Sequence, residues 1–331
     1  MAFKIAVIGC GWITTACHGP AYTKYAASHP DTELTACCDV DASRAEALRR
    51  QFGFARAYTD YLSMLEMEKP NAVCLNVPEK LLCEMGCRIM EMGFPLFSEK
   101  PPGVTVAEIN RLIDVARSSG VIHQVAFNRR FTPLVVELKC QLWEIKVHHL
   151  DHQFYRVGRM DSDFSTTAIH AIDTVRFLLG DYQQICFHYQ ELPELSQKTP
   201  IVNTFMEGTF ASGATAFMSI CPVTGINVER TTVHGADHSF FLSMPNGPDR
   251  PGSLLHYQKG QLVEKLDGAE FCGNNEDFVL GGFEAENTAF FEAVRSGQQP
   301  VHDFQSSLQS VEVMVCLREQ MTEYINPHPS A

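Results

Sequence analysis

The residues with the clearest chemical potential sit near the start of the chain. Gly9-Cys10-Gly11 follows an apolar run, Ile5 to Ile8, and a helical pattern begins at Trp12 and Ile13. A strand, a tight turn and a helix start in that order form a cradle for a pyrophosphate. Gly9 takes the unusual backbone angles, Gly11 permits close approach, and the helix N-terminus attracts the anion. The third glycine of the dinucleotide fingerprint is replaced by Thr14. Asp39 ends a second apolar run, ELTACCDVD. A carboxylate there can accept hydrogen bonds from adenosine ribose hydroxyls and repel a 2′-phosphate, which favours NAD over NADP. Asn128-Arg129-Arg130 could hold a sugar hydroxyl, a carboxylate or a phosphate, or equally form an interdomain ion pair. His148, His149 and His152 look like a metal cluster, but neighbouring strand residues face opposite sides, so no metal is expected.

These groups need a scaffold. Apolar runs at 4–8, 33–41, 71–78, 95–99 and 121–131 alternate with helical segments, including 42–53, 79–92 and one capped by Thr105 and Glu108. Strand–helix alternation implies a doubly wound parallel sheet with helices on both faces. Ligands in such sheets bind beyond the carboxyl ends of the strands, which brings Asn76 and Pro78 towards the cofactor and places Glu99-Lys100-Pro101 in a proline-stiffened loop. Asn128 to Arg130 are expected to end the sixth strand.

Beyond residue 131 the texture changes to polar–apolar alternation over 144–157, 184–191, 201–220, 230–243 and 253–265. That pattern reads as a large, mostly antiparallel open sheet, broken by a helix at 170–181 and followed by a helical tail. The expected domains are a dinucleotide-binding Rossmann domain at 1–131 and an α/β domain for substrate binding and oligomerisation at 132–331, with a C-terminal helix able to pack back on the first.

Composition narrows the function classes. Lys plus Arg number 26 against 39 Asp plus Glu, a net charge of −13 with no basic cluster, so neither nucleic acid nor an anionic membrane is an expected partner. The first residues already read as a core strand, leaving no room for a signal peptide, and no apolar run is long enough for a bilayer. The twelve cysteines lack a Cys-x-x-Cys pair and read as reduced, buried thiols of a cytoplasmic protein.

Three features coincide: the N-terminal Gly-x-Gly turn, Glu99-Lys100-Pro101 after the fifth strand, and His170-x-x-Asp173 on a helix of the second domain. Together they resemble the Gfo/Idh/MocA oxidoreductase family, which includes inositol dehydrogenases and glucose–fructose oxidoreductase. The resemblance implies an NAD(P)-dependent enzyme that moves a hydride between nicotinamide and a secondary hydroxyl of a sugar, cyclitol or glycoside. It implies a homodimer or homotetramer through the C-terminal sheet. Lys100 corresponds to the lysine that contacts the reacting hydroxyl, and His170 to the second-domain histidine; both are the expected catalytic residues. Asp173, one helical turn on, joins Asn128 and Arg129 as expected substrate contacts, with a salt bridge to Arg176 as its structural alternative. Gly9, Cys10, Gly11, Trp12, Ile13, Asp39, Asn76, Pro78, Glu99 and Lys100 are the expected cofactor contacts.

Burial beside a positively charged nicotinamide would lower the lysine's pKa, making Lys100 the proton acceptor or hydroxyl polariser, with His170 sharing the proton. The chain departs from the family pattern at Thr166, where an aspartate is common, at Ala168 in place of a glycine, and near Leu82, where a histidine is often found. Asp161 or Asp163, displaced from that position by several residues, could substitute for the missing acid. Two other functions fit the same residues: a bound-cofactor enzyme that oxidises and recycles a sugar, and a nucleotide-binding sensor or scaffold with degraded chemistry.

Overall fold

A computed structural model describes residues 2–195 and 200–328. The chain divides into two compact units, Met1–Asn128 with Gly282–Leu308, and Arg129–Gly281 with Gln309–Ala331. The first unit is built on six parallel strands: β1 (Phe3–Ile8), β2 (Thr32–Cys38), β3 (Arg56–Tyr58), β4 (Ala72–Leu75), β5 (Leu96–Ser98) and β6 (His123–Val125). Their order is β3-β2-β1-β4-β5-β6, the doubly wound arrangement with its switch point between β1 and β4. Ile5, Val7, Ala72, Cys74 and Phe97 are fully buried, as strands covered on both faces require. The core is completed from the far end of the sequence: Phe290 and Phe291, on the helix Phe283–Ser296, pack with Phe3, Tyr22 and Tyr25.

The glycine turn obeys a steric rule. Gly9 has φ +95°, and a Cβ there would lie 2.2 Å from the Asn76 carbonyl oxygen. No side chain is tolerated at that point, where β1 and β4 diverge. Thr14, standing where a third glycine was expected, donates its hydroxyl to the Gly9 carbonyl at 2.7 Å and so ties the helix back onto the turn. The helix that follows contains a π-turn, Thr14–His18, before the α-helix Gly19–Ser28. Pro20 sits in the first turn of that α-helix, where its missing N–H costs nothing, and so does not interrupt it.

One expectation needs correction. The sixth strand is short: β6 stops at Val125, and Asn128–Phe131 forms a 3-10 turn, so Asn128 to Arg130 follow the strand and do not end it. The Thr105–Glu108 capping box is present as expected.

The second unit carries nine strands: β7 (Val147–Tyr155), β8 (Tyr182–Glu191), β9 (Val202–Phe210), β10 (Thr215–Cys221), β11 (Val228–Gly235), β12 (His238–Ser243), β13 (Ser253–Gln258), β14 (Gln261–Asp267) and β15 (Glu323–Ile325). Their order is β14-β13-β12-β11-β7-β10-β9-β8-β15. The pairing is antiparallel except between β7 and β10, which run parallel at the centre. Alternation along β7 buries Leu150, His152 and Phe154 on one face, against the helix Ser165–Leu179. Among the described residues, no helix is long and apolar enough to cross a membrane.

The crowding at the glycine turn has a direct consequence. Gly9→Ala should cost about 3 kcal/mol or more, since it combines a disallowed φ with a clash against backbone. Thermal unfolding of the variant, with Gly53→Ala as a positive-φ control in open space, checks this.

Candidate functional site

In the first unit the candidate groups gather along the carboxyl edge of the parallel sheet. Asp39 follows β2, and its carboxylate accepts the Cys10 N–H at 2.8 Å and the Asp41 N–H at 3.0 Å. Those bonds lock the carboxylate beside the glycine turn while leaving lone pairs for further donors. Gly11 has open space where a Cβ would point, so an anion can approach its backbone. Trp12 is 76% exposed and Ile13 half-buried at the same turn. Asn76, directly after β4, is buried and donates to the Thr14 hydroxyl and the Tyr22 hydroxyl, both at 3.1 Å. Pro78 is exposed and caps the helix Glu79–Glu91.

Glu99 follows β5 and is buried. His18 Nε2 lies 2.8 Å from Glu99 Oε1, and the Lys100 N–H donates to Oε2 at 3.1 Å. Burial pushes this carboxyl up, but the hydrogen bond from His18, with the charge and N–H of Lys100, outweighs it and holds the group below its ordinary value. Lys100 is half-buried and leads into Pro101. Glu99, Asn76, Asp39 and the glycine turn thus share one sheet edge, with Lys100 next in sequence to a fixed carboxylate. The residues present suit a dinucleotide: a glycine cradle, a helix N-terminus, and an acidic residue after the second strand.

In the second unit the site is a charged network on the covered face of the sheet. Arg129, in the 3-10 turn, donates to Glu229 at 3.1 and 3.3 Å, and its Nη1 lies 3.3 Å from His170 Nε2. A guanidinium has no acceptor, so Nε2 of His170 takes the accepting role. Arg156 adds a third bond to Glu229 at 2.7 Å and stacks over Phe154 at 3.5 Å. Burial pushes the Glu229 carboxyl up, yet the Arg129 and Arg156 charges hold it at about 2. His152 is buried nearby, bonded through Nδ1 to the Thr231 hydroxyl, and burial drives it down to about 4. Sequence reasoning missed Glu229 and Arg156. The only signal available was a glutamate and an arginine at the ends of strands that turn out to be neighbours.

Asp173 is placed differently from Arg129 and His170. Its oxygens accept from Arg130 at 2.6 and 2.8 Å and from the Ser310 hydroxyl at 2.7 Å, all of it buried. It pairs neither with Arg176, which turns to Asp181, nor with Arg129. Asn128 is buried in the same sequence as the arginines. Thr166 is half-buried, with its hydroxyl on the Asp163 carbonyl at 3.1 Å. Asp163 itself caps Ser165, and Asp161 pairs with Arg159. His149 bonds the Thr215 hydroxyl at 2.8 Å, apart from buried His152. Among the described residues, no group of His, Cys, Asp and Glu is arranged to hold a metal ion.

Comparison with known proteins agrees with the fold. Residues 3–127 match the sequence profile of an oxidoreductase family with an NAD-binding Rossmann fold. The chain is 30% identical over 139 residues to the D-glucoside 3-dehydrogenase of Escherichia coli, covering 42% of this chain and 38% of that protein. It is 24% identical over 291 residues to the scyllo-inositol 2-dehydrogenase (NAD(+)) of Bacillus subtilis, covering 83% and 82%. The match to the glucoside dehydrogenase therefore spans well under half of that relative. A solved oxidoreductase domain protein from Kribbella flavida superposes with a TM-score of 0.83 over 99% of this chain and 100% of its own, at 19% identity, which speaks to fold alone.

The second-unit network makes the chain acid-sensitive in two stages. Both His152 and Glu229 have folded pKa values below their ordinary ones of 6.5 and 4.5. The unfolded chain therefore binds protons that the folded chain does not, and stability falls as pH falls. His152 draws on it from pH 6.5 towards 4, and Glu229 from 4.5 towards 2, each by about 3 kcal/mol in full. Urea unfolding at about pH 7 and about pH 5, above the range where the carboxylates contribute, should show the first loss, and His152→Asn should reduce it.

Proposed function

We propose that this chain is a member of the Gfo/Idh/MocA oxidoreductase family, a reading supported by the match of its NAD-binding Rossmann unit, and that it is a dehydrogenase that interconverts a secondary alcohol and a ketone on a cyclitol or glycoside. The observation that carries the reading is the fixed position of Lys100, next to a buried carboxylate at the sheet edge that also holds the glycine turn. The cyclitol or glycoside class is suggested by the names of the relatives, an inositol dehydrogenase and a glucoside dehydrogenase.

NAD, when bound, supplies the hydride acceptor. In oxidation, Lys100 Nζ takes the hydroxyl proton, and in reduction it returns a proton to the carbonyl oxygen. An ordinary lysine is charged at neutral pH, so alcohol oxidation is the direction helped by alkaline conditions. His170, with its Nε2 set as an acceptor by Arg129, is the second group able to handle that proton or bind a neighbouring hydroxyl. Asn128 and Arg129 belong to the polyol-binding set in this reading. Asp173 supports the set indirectly, because its contacts with Arg130 and Ser310 fix the helix that carries His170. Gly9 to Ile13, Asn76 and Pro78 hold the cofactor, and Asp39 selects NAD by meeting the ribose hydroxyls with a charge that repels a 2′-phosphate. The second unit's sheet is the natural surface for self-association.

Two measurements test this. A panel of myo-inositol, scyllo-inositol and methyl glucosides, read at the nicotinamide absorbance band, should show NAD reduction by at least one member. Lys100→Met should then lower kcat by roughly a hundredfold or more while NAD binding stays within a few-fold, whereas unchanged turnover would remove Lys100 from the reaction. NAD binding without turnover of any polyol would favour a sensor. Asp39→Ser should lower the ratio of NADP to NAD dissociation constants by roughly tenfold, about 1.4 kcal/mol. An unmoved ratio would take cofactor selection away from Asp39.

A further inference from the structure

His18 is fully buried, yet nothing assigned so far uses it. The π-turn Thr14–His18, closed by the Gly19 N–H on the Thr14 carbonyl, brings His18 inward on the same side as Thr14. Its ring is held edge-on by Phe97 and Phe283, with centroids 5.6 and 5.3 Å away, and is stacked on Tyr22 at 6.0 Å. Both ring nitrogens face specific partners. Nε2 lies 2.8 Å from Glu99 Oε1, and Nδ1 lies 2.9 Å from Asn287 Nδ2. The same Asn287 nitrogen donates to the Phe283 carbonyl at 2.7 Å, which fixes which end of the amide faces the ring. An amide NH2 has two hydrogens: one goes to the carbonyl, and the other points at Nδ1. Nδ1 is therefore the accepting nitrogen and Nε2 carries the proton that meets Glu99.

The far side of Glu99 is also committed. Oε2 accepts the Lys100 N–H, the last backbone donor before Pro101 and Pro102, which have none. We propose that His18, oriented by Asn287, is a positioning residue that fixes the Glu99 carboxylate and, through it, the backbone of Lys100. The chain of contacts runs Asn287, His18, Glu99, Lys100. The inference rests on the reading of Lys100 given above, and it adds two residues that lie 81 and 188 positions from Glu99 in sequence. It concerns geometry: His18 touches neither substrate nor cofactor in this account.

The relay makes the donor at Nε2 the requirement, so a residue that keeps a donor at that reach should serve. With saturating NAD and the polyol of the panel that turns over, His18→Leu should lower kcat by roughly tenfold to a hundredfold, the cost of a slightly misplaced reacting group. KM and the NAD dissociation constant should stay within about threefold, because binding surfaces are untouched. His18→Gln, whose amide can donate to Glu99, should recover most of kcat. A merely structural histidine would show the reverse pattern: lost melting temperature with kcat of the folded fraction intact, and no rescue by Gln. Either unchanged kcat in His18→Leu or equal loss in both variants would overturn the proposal.

A spectroscopic arm stands apart from turnover. In 15N-histidine-labelled protein, His18 should appear as the single tautomer protonated at Nε2, and Asn287→Leu should turn it into a mixture with a partial fall in kcat. A Nδ1-protonated or doubly protonated ring in the parent chain would also overturn the relay. If no polyol is oxidised by the parent chain, the functional reading fails while the nitrogen spectra still decide on the relay.

Discussion

A carboxylate removed from water must be met by donors, and that constraint organises both units. Isolated charges do not stay buried cheaply, and three such groups have cations, N–H groups or a hydroxyl arranged around them. Glu99 is met by His18 and the Lys100 N–H, Glu229 by Arg129 and Arg156, and Asp173 by Arg130 and Ser310. Removing one partner from any of these would strand a charge, so the surrounding backbone is held to narrow tolerances. The residues that could do chemistry, Lys100 and His170, are attached to these fixed points and do not themselves carry the fold.

Much of the first unit was legible in the sequence because its rules are local. Gly9 is dictated by a backbone angle and a contact across adjacent strands, and the Thr105–Glu108 cap by residues three apart. Apolar runs buried on both faces announce a parallel sheet without any knowledge of its partners. The error at Asn128 to Arg130 arose where local signals compete. VIHQVAF continues the apolar pattern of a strand, but β6 has only β5 beside it and is released after Val125 into a tight turn.

The interior of the site was not legible, because its partners are distant in sequence. His18 and Glu99 are 81 residues apart, Arg129 and Glu229 are 100, and Asp173 and Ser310 are 137. A histidine in a helix or a glutamate in a strand carries no mark of the charge it will meet. The same holds for the parallel pairing of β7 with β10 within an otherwise antiparallel sheet: alternation reveals which face a residue takes, not which way its neighbour runs. Asp173 is the instructive case. Its spacing from His170 on one helix suggested a shared task, but the two side chains found different arginines, adjacent in sequence at 129 and 130.

The first unit's discontinuity bears on how the protein is made. Its core needs Phe290 and Phe291, Arg295 reaches back to Asp31 and Thr32, Gln124 donates to the Glu286 carbonyl, and the Val125 N–H meets the His302 carbonyl. A ribosome delivers those residues only after the whole of the nine-stranded unit's intervening 129–281 has emerged. The nascent Rossmann sheet must therefore wait, with one side of its apolar surface uncovered, for most of the chain's synthesis. The earliest-made stretch of the protein is thus among the last to be finished, and its exposure in that interval is set by translation and not by its own folding rate.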